Sequence, residues 1–300
     1  MPPIKVALAG ATGNLGTPIL DALLQSRVSV TVLSRTGGNS SKLARHPNLK
    51  IEEVDFESVQ SLSKALQGIE VVVSCVSTLA IGSQNRLIDA SVYAGVKRFI
   101  PAEFGMDSLN PLCMQLPVCV PKAATQKYLK DKTRQNPGFS WTGIANGLFL
   151  DWGMKVGFII NLKEHTAKLY NGGDVPFSAT RLIDVAKAVL AVIHNQEQTA
   201  NRLLYIHSAV VTQNQLIGYV KNIVGKQWQT SQKDTEELRK ESLVALEKGD
   251  VMAAMDGFCV AASWNADYGC DFSGHLDNEL LGLKLLDEEG LKALVASLLI

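Results

Sequence analysis

The sequence predicts an α/β protein with a doubly wound, parallel Rossmann-type sheet and a smaller, mixed C-terminal part. Three observations predict it. Short Val- and Ile-rich runs recur through the first half, segments with helical spacing separate them, and the stretch ALAGATGNLGTP at 7–18 sets Gly10, Gly13 and Gly16 directly after the first run. Strand-length runs alternating with helix-period runs give right-handed βαβ units, whose parallel strands are covered on both faces.

Taken in order, the strand-like runs are 4–8, 28–33, 49–54, 71–76 and 98–101. Between them, Leu15, Ile19, Leu20, Leu23 and Leu24 fall on one helical face, as do Val59, Leu62 and Leu66, and then Leu87, Ile88, Ser91 and Val92. A helix over 122–133 is stopped by Asn136-Pro137-Gly138 before a strand over 141–144. After Gly147 the alternation becomes irregular: a helix near 180–194, a strand at 202–207, a helix near 212–224 and a charged helix near 234–248. Charges of mixed sign at Glu236, Glu237, Arg239, Lys240 and Glu241 read as a solvated face. The segment 252–275 combines Met252, Met255, Phe258, Trp264, Tyr268 and Phe272 with small residues, which suits an adaptable pocket wall or lid, and equally a core helix with a loop. Residues 1–150 are expected to form a dinucleotide-binding domain and residues 151–300 mainly a substrate-binding part, packed as one body.

Composition narrows the class. With 300 residues the chain is long enough for a full core, and 46% hydrophobic residues is ordinary for a soluble globule. Twenty-nine basic residues balance 29 acidic ones, so no overall field favours nucleic acid or an anionic membrane. No apolar run reaches membrane-spanning length, and the N-terminus lacks the layout of a signal peptide, so a cytoplasmic location is expected. Five cysteines at 75, 113, 119, 259 and 270 form no CxxC pair and read as reduced thiols, buried or half-buried. The five histidines are scattered and form no HExxH or HxH, so no metal site is expected.

The glycine loop carries the first chemical signal. A tight strand-to-helix turn needs glycine where φ is positive and where backbone approaches a pyrophosphate, and the helix that follows offers N–H groups and partial positive charge. Gly10, Gly13 and Gly16 occupy those places, with Thr12, Asn14 and Leu15 between them. Beyond the second strand, where an acid would bind the ribose 2′-hydroxyl of NAD, the chain reads VTVLSRTGGNSSK. No carboxylate occurs there, whereas Ser34, Arg35 and Lys42 suit a 2′-phosphate. The cofactor expected is therefore NADP(H). By topology, Asp55-Phe56 after the third strand is placed near the adenine, and 74–78, with Ser77, ends the fourth strand beside the cleft.

GATGNLG at 10–16, SR at 34–35, VDFES at 54–58 and AGVKRFIPAEFGMD at 94–107 resemble the NmrA-like and isoflavone-reductase-like group of atypical short-chain dehydrogenases/reductases. The likeness runs over residues 4–155 and more loosely to the C-terminus through IDVAKAV at 183–189. KRFIPAEFG is its most specific piece and departs from the group's KRF-x-PSEFG at Ala102. The resemblance implies hydride transfer from NADPH to aromatic secondary metabolites such as isoflavones, lignans and phenylcoumaran ethers. It also admits a non-catalytic redox sensor that binds dinucleotide and a partner protein, and a third use of the fold is isomerisation or another non-reductive step.

The catalytic lysine of the group matches Lys122 in VPKAATQKYLKD. A tyrosine four residues earlier, as in ordinary short-chain reductases, is absent because position 118 is Val. Lys122 is expected to hydrogen-bond the nicotinamide ribose and to act as general acid/base or oxyanion stabiliser; the competing reading is a solvent-facing lysine near a helix start. Tyr93-AGV-Lys97 and Tyr128-LKD-Lys132 share the Tyr-x-x-x-Lys spacing by coincidence. Strand-end loops meet ligands, so Asn146 is assigned to the cofactor, and Glu103, Phe104, Phe149 and Trp152 to a small-molecule substrate. A monomer or homodimer is expected.

Overall fold

Along the chain, β1 (Ile4–Ala9), α1 (Gly16–Leu24), β2 (Val28–Arg35), β3 (Leu49–Val54), α2 (Val59–Ala65), β4 (Val71–Ser74), α3 (Gln84–Tyr93), β5 (Arg98–Ile100), α4 (Val120–Gln135) and β6 (Ser140–Ala145) follow one another in a computed structural model that describes residues 2–299. Then come β7 (Leu148–Phe149), α5 (Leu150–Lys155), β8 (Thr166–Tyr170), β9 (Phe177–Thr180), α6 (Leu182–His194), β10 (Arg202–Tyr205), β11 (Ala209–Val211), α7 (Gln213–Val224), β12 (Gln229–Lys233), α8 (Thr235–Glu247), α9 (Val251–Trp264) and α10 (Glu288–Ser297). The expected Rossmann-type sheet is present: seven strands in the order β10-β6-β5-β4-β1-β2-β3. β1 pairs in parallel with β2 and β4, and β2–β3, β4–β5 and β5–β6 are parallel as well.

Burial explains the sequence pattern. Val6–Ala9 and Val71–Val73 are fully enclosed at the centre of the sheet, as continuous apolar runs demand when helices cover both faces. Each such Val or Leu contributes roughly 1.5–3 kcal/mol through removal from water. β3, at the edge, keeps Lys50, Glu52 and Glu53 outward, charges that discourage another strand from pairing there. The order reverses at β1, whose neighbours are β4 on one side and β2 on the other, and a crevice opens at that switch point beyond the carboxyl ends.

The chain divides into two compact units that interleave in sequence. The first comprises Met1–Glu103, Pro121–Ile144 and Val185–Leu204; the second Phe104–Val120, Ala145–Asp184 and Tyr205–Ile300. The second contains a three-stranded sheet, β11-β9-β7, and a parallel pair, β12-β8. Its core gathers Trp264 against Tyr170 at 4.9 Å, Phe177 at 5.2 Å and Phe158 at 5.8 Å between ring centroids. Phe258, Trp264 and Phe272 are fully buried, so the large aromatic side chains of 252–275 serve as core. Of Met252, Met255, Phe258, Trp264, Tyr268 and Phe272, Met252 is the exposed one, at 59%. Thr212, Asp234 and Asp250 cap α7, α8 and α9 by accepting backbone N–H bonds, and Gly225 closes α7 at φ +64°.

Candidate functional site

In the first unit a cleft of about 670 Å³ lies at the switch point, lined by Gly10–Leu15, Val32–Arg35, Gly38–Ser40, Phe56–Glu57, Cys75–Ser77, Ala80 and Ser83. Two glycines of the β1–α1 turn are required by the protein's own backbone. Gly10 has φ +82°, and a Cβ there would run into the Cys75 carbonyl; a Cβ at Gly16 would strike the Gly10 carbonyl. Gly13 differs, since a Cβ there meets only the Gly10 carbonyl at 3.3 Å, and its surface opens on the cleft. The loop is tied by Gly13 N–H to Gly10 O at 3.1 Å and Thr17 N–H to Gly13 O at 3.0 Å. No side chain caps α1 and no acid lies in its first turn, so the positive end of the helix is left to a ligand.

At the end of β2, Ser34 is buried and its hydroxyl donates to the Arg35 carbonyl at 3.1 Å, while Arg35 is exposed along the cleft. Gly38 lets the chain fold back, since a Cβ there would lie 2.8 Å from the Arg35 carbonyl and 2.9 Å from the Ser34 hydroxyl. The short 3₁₀ turn Asn39–Lys42 follows, with Asn39 and Ser40 lining the cleft. Lys42 is exposed at the far end of that turn and is not among the lining residues. Of the pair after β3, Phe56 lines the cleft, whereas the Asp55 carboxylate accepts from Glu57 N–H at 2.9 Å. Ser77 lines it too, exposed beyond β4. Thus Gly10, Thr12, Gly13, Asn14, Leu15, Ser34, Arg35, Phe56 and Ser77 are brought together, and Gly16 supports the loop from behind.

Lys122 stands in the first turn of α4 and is 7% exposed, so the solvent-facing reading does not hold. Its Nζ donates to the main-chain carbonyl of Glu103, near the start of the loop after β5. Glu103 is itself 1% exposed, and its carbonyl holds the lysine. One residue earlier, Ala102 N–H donates to Gln84 Oε1 at 2.9 Å, which anchors this loop to the start of α3. Two side chains from distant parts of the sequence therefore fix the strand-end loop that holds Lys122.

Tyr128 and Lys132 have a different role. The Tyr128 hydroxyl donates to Asp89 at 2.6 Å, Lys132 Nζ reaches the same carboxylate at 2.5 Å, and the ammonium lies 4.9 Å from the Tyr128 ring centroid. Burial, then the bond to Asp89, raises the Tyr128 pKa; the Asp89 bond raises that of Lys132. Both directions oppose proton release, and the trio fastens α4 to α3. Tyr93 is 80% exposed, and Lys97 pairs with Glu70 at 3.2 Å.

The remaining predicted residues belong to the second unit. Phe104 has φ +21°. Asn146 is fully buried; its N–H and that of Gly147 both donate to the Gly105 carbonyl at 2.9 Å. Its side-chain amide donates to Gly147 O at 3.0 Å, and its Oδ1 has no partner, an acceptor of the kind a ligand satisfies. Phe149 and Trp152 are half-buried and meet edge to face at 6.3 Å. Sequence reasoning missed Asn39, Ser40 and Ala80 as lining residues, whereas Cys75 falls in the 74–78 stretch expected beside the cleft; the available signal was position just beyond β2 and β4. Burial pushes the Cys75 thiol up to about 12, which disfavours its thiolate. Among the described residues no group of three or more His, Cys, Asp or Glu is placed to hold a metal, and no helix is long and apolar enough to cross a membrane.

Strand order, switch-point crevice and glycine turn together define a Rossmann-type α/β protein. The chain belongs to the NmrA-like family, whose model matches residues 3–271. It is 35% identical over 253 residues to the oxidoreductase aprR of Aspergillus flavus, covering 82% of each chain. It is 30% identical over 302 residues to the oxidoreductase poxI of Penicillium oxalicum, covering 94% of this chain and 90% of that one. Among solved structures, the leucoanthocyanidin reductase–NADPH complex from Vitis vinifera shares the fold with a TM-score of 0.76 at 18% identity, over 98% of this chain and 99% of that one.

Proposed function

We propose that the protein is an NADPH-dependent oxidoreductase that reduces a medium-sized aromatic or conjugated metabolite, with Lys122 as the proton donor or positive charge at the developing oxyanion. The observation that carries this reading is a buried lysine at the head of α4, held by the Glu103 carbonyl, in the same unit as the switch-point cleft. The relatives named as oxidoreductases and the neighbour solved with NADPH support it.

The cleft residues fit the cofactor. Gly13 leaves room for a pyrophosphate at the uncapped start of α1, Thr12 and Asn14 offer polar side chains beside it, and Arg35 with Ser34, Asn39 and Ser40 suits a 2′-phosphate. Lys42 and Asp55 are assigned to the outer edge of the nucleotide site. NADPH supplies the hydride when bound. An ammonium has three donors, so the bond to Glu103 leaves Lys122 able to reach the cofactor ribose and a substrate oxygen. Water exclusion around the buried lysine strengthens its attraction for a forming oxyanion. Within the second unit, the unpartnered Oδ1 of Asn146 is an acceptor suited to a polar ligand atom, and Phe104, Phe149 and Trp152 offer rings suited to an aromatic ligand. The test is NADPH consumption by the full chain with a panel of aryl enones, aryl ketones and benzylic ethers. The expected result is oxidation with at least one class. NADPH binding with no turnover by any class contradicts the proposal and fits a sensor; a changed product without net consumption contradicts it in favour of isomerisation.

A further inference from the structure

A second chemistry-bearing pair lies in the segment that leads into α4. The thiols of Cys113 and Cys119 meet at 3.1 Å between sulfurs, six residues apart, and both residues are fully buried. The backbone explains how so short a span brings them together. Leu116 N–H donates to Cys113 O at 3.0 Å, and Cys119 N–H donates to Leu116 O at 2.7 Å, so two successive tight turns fold the chain back on itself. Asn110 Oδ1 fixes the first turn by accepting from Leu112 N–H at 2.9 Å and Cys113 N–H at 3.1 Å. Leu112 and Met114, which flank Cys113 in sequence, are 43% and 41% exposed.

We propose that Cys113 and Cys119 are a redox-modification site that closes to a reversible disulfide when the protein meets a hydroperoxide. The sulfurs need to approach by about 1 Å to reach bonding distance, a shift within the reach of side-chain rotation. In the first step one thiolate attacks a peroxide oxygen. An S–O bond forms, the O–O bond breaks, and the departing hydroxide takes a proton to leave as water. In the second step the other thiolate attacks the resulting sulfenic sulfur. The S–S bond forms, the S–O bond breaks, and a second water leaves. Two thiols are oxidised by two electrons in all, and one hydrogen peroxide is reduced to two waters. The other three cysteines are at 75, 259 and 270, remote in sequence from this pair. The bridge closes the turn that ends three residues before Lys122, so this modification and the proposed activity are separable readouts on one segment.

The test treats the full-length protein with hydrogen peroxide, alkylates remaining thiols after unfolding, and maps the peptides by mass spectrometry. The expected result is a 113–119 cross-linked peptide lacking two hydrogens, reversed by dithiothreitol, with Cys75, Cys259 and Cys270 alkylated. Closing so short a loop raises the melting temperature of the oxidised protein by about 4 °C. In Cys113→Ser and in Cys119→Ser the remaining thiol is trapped by dimedone as the sulfenic acid. A wild-type protein that keeps both thiols alkylatable after peroxide, or carries them to sulfonic acid with no 113–119 link, overturns the proposal. Neither result depends on NADPH turnover, so this proposal and the proposed activity fail independently.

Discussion

Two lysines ten residues apart on α4 receive opposite roles from their surroundings. Lys132 is tied to Asp89 and lies over Tyr128, and the proton-holding direction of both Tyr128 and Lys132 makes them a structural clamp. Tyr128→Phe is expected to leave kcat within about twofold and to cost about 1 kcal/mol in thermal or denaturant melts, the net worth of one side-chain hydrogen bond. Lys122, held by a carbonyl in a buried position, keeps its capacity to donate. The same logic applies to Arg98, 1% exposed in β5, whose guanidinium donates to Ser140 at 2.8 Å, Thr142 at 2.7 Å, Thr199 at 2.9 Å and the Gln196 carbonyl. Burial lowers its pKa to about 10, still charged at neutral pH. Arg98→Met leaves those oxygens buried without their donor, and a loss of about 2–4 kcal/mol in denaturant unfolding is expected.

Among the elements, the β1–α1 turn was the most legible. Its glycines answer to backbone geometry, and Gly10 and Gly16 are the positions where a side chain has no space at all. The base after β2 was legible for a similar reason, because Ser34 and Arg35 are fixed by the strand end. Asn39 and Ser40 were not, since their place depends on a 3₁₀ turn that Gly37-Gly38 permits but no periodicity announces. Strands of the second unit were hidden by brevity and polarity: β7 has two residues, and β12 reads QTSQK with no apolar alternation. Arg35→Ala is expected to weaken NADPH binding by about 10–100-fold, the worth of one or two charge-assisted bonds, while NADH binding stays within about twofold. Calorimetric titration of both cofactors checks it.

At the scale of the whole molecule, the interleaving of the two units was illegible because it depends on long-range returns: β10 rejoins the first sheet beside β6, some sixty residues later in the chain. The glycine loop and Lys122 needed no such knowledge. Inside the second unit, His207 is 4% exposed, its Nδ1 lies 2.8 Å from the Ser178 hydroxyl, and its main chain is bracketed by Asn278. Burial lowers its pKa below the ordinary 6.5, with Asp271 opposing. As the pH falls through 6.5 the unfolded chain takes up a proton that the folded one resists. The associated stability is present above that value and is lost on acidification. The melting temperature of His207→Gln is expected to fall less than that of the wild type as pH drops from 7 to 5, measured by calorimetry.

The central claim, hydride transfer assisted by Lys122, meets its most direct measurement in NADPH deuterated at its transferable position, run with the enone, ketone and ether panel on the wild type and Lys122→Met. The account predicts deuterium in the wild-type product and a kcat lower by about 100-fold or more in Lys122→Met, with NADPH affinity within about threefold. Wild-type turnover by Lys122→Met, or a product without deuterium, would contradict it.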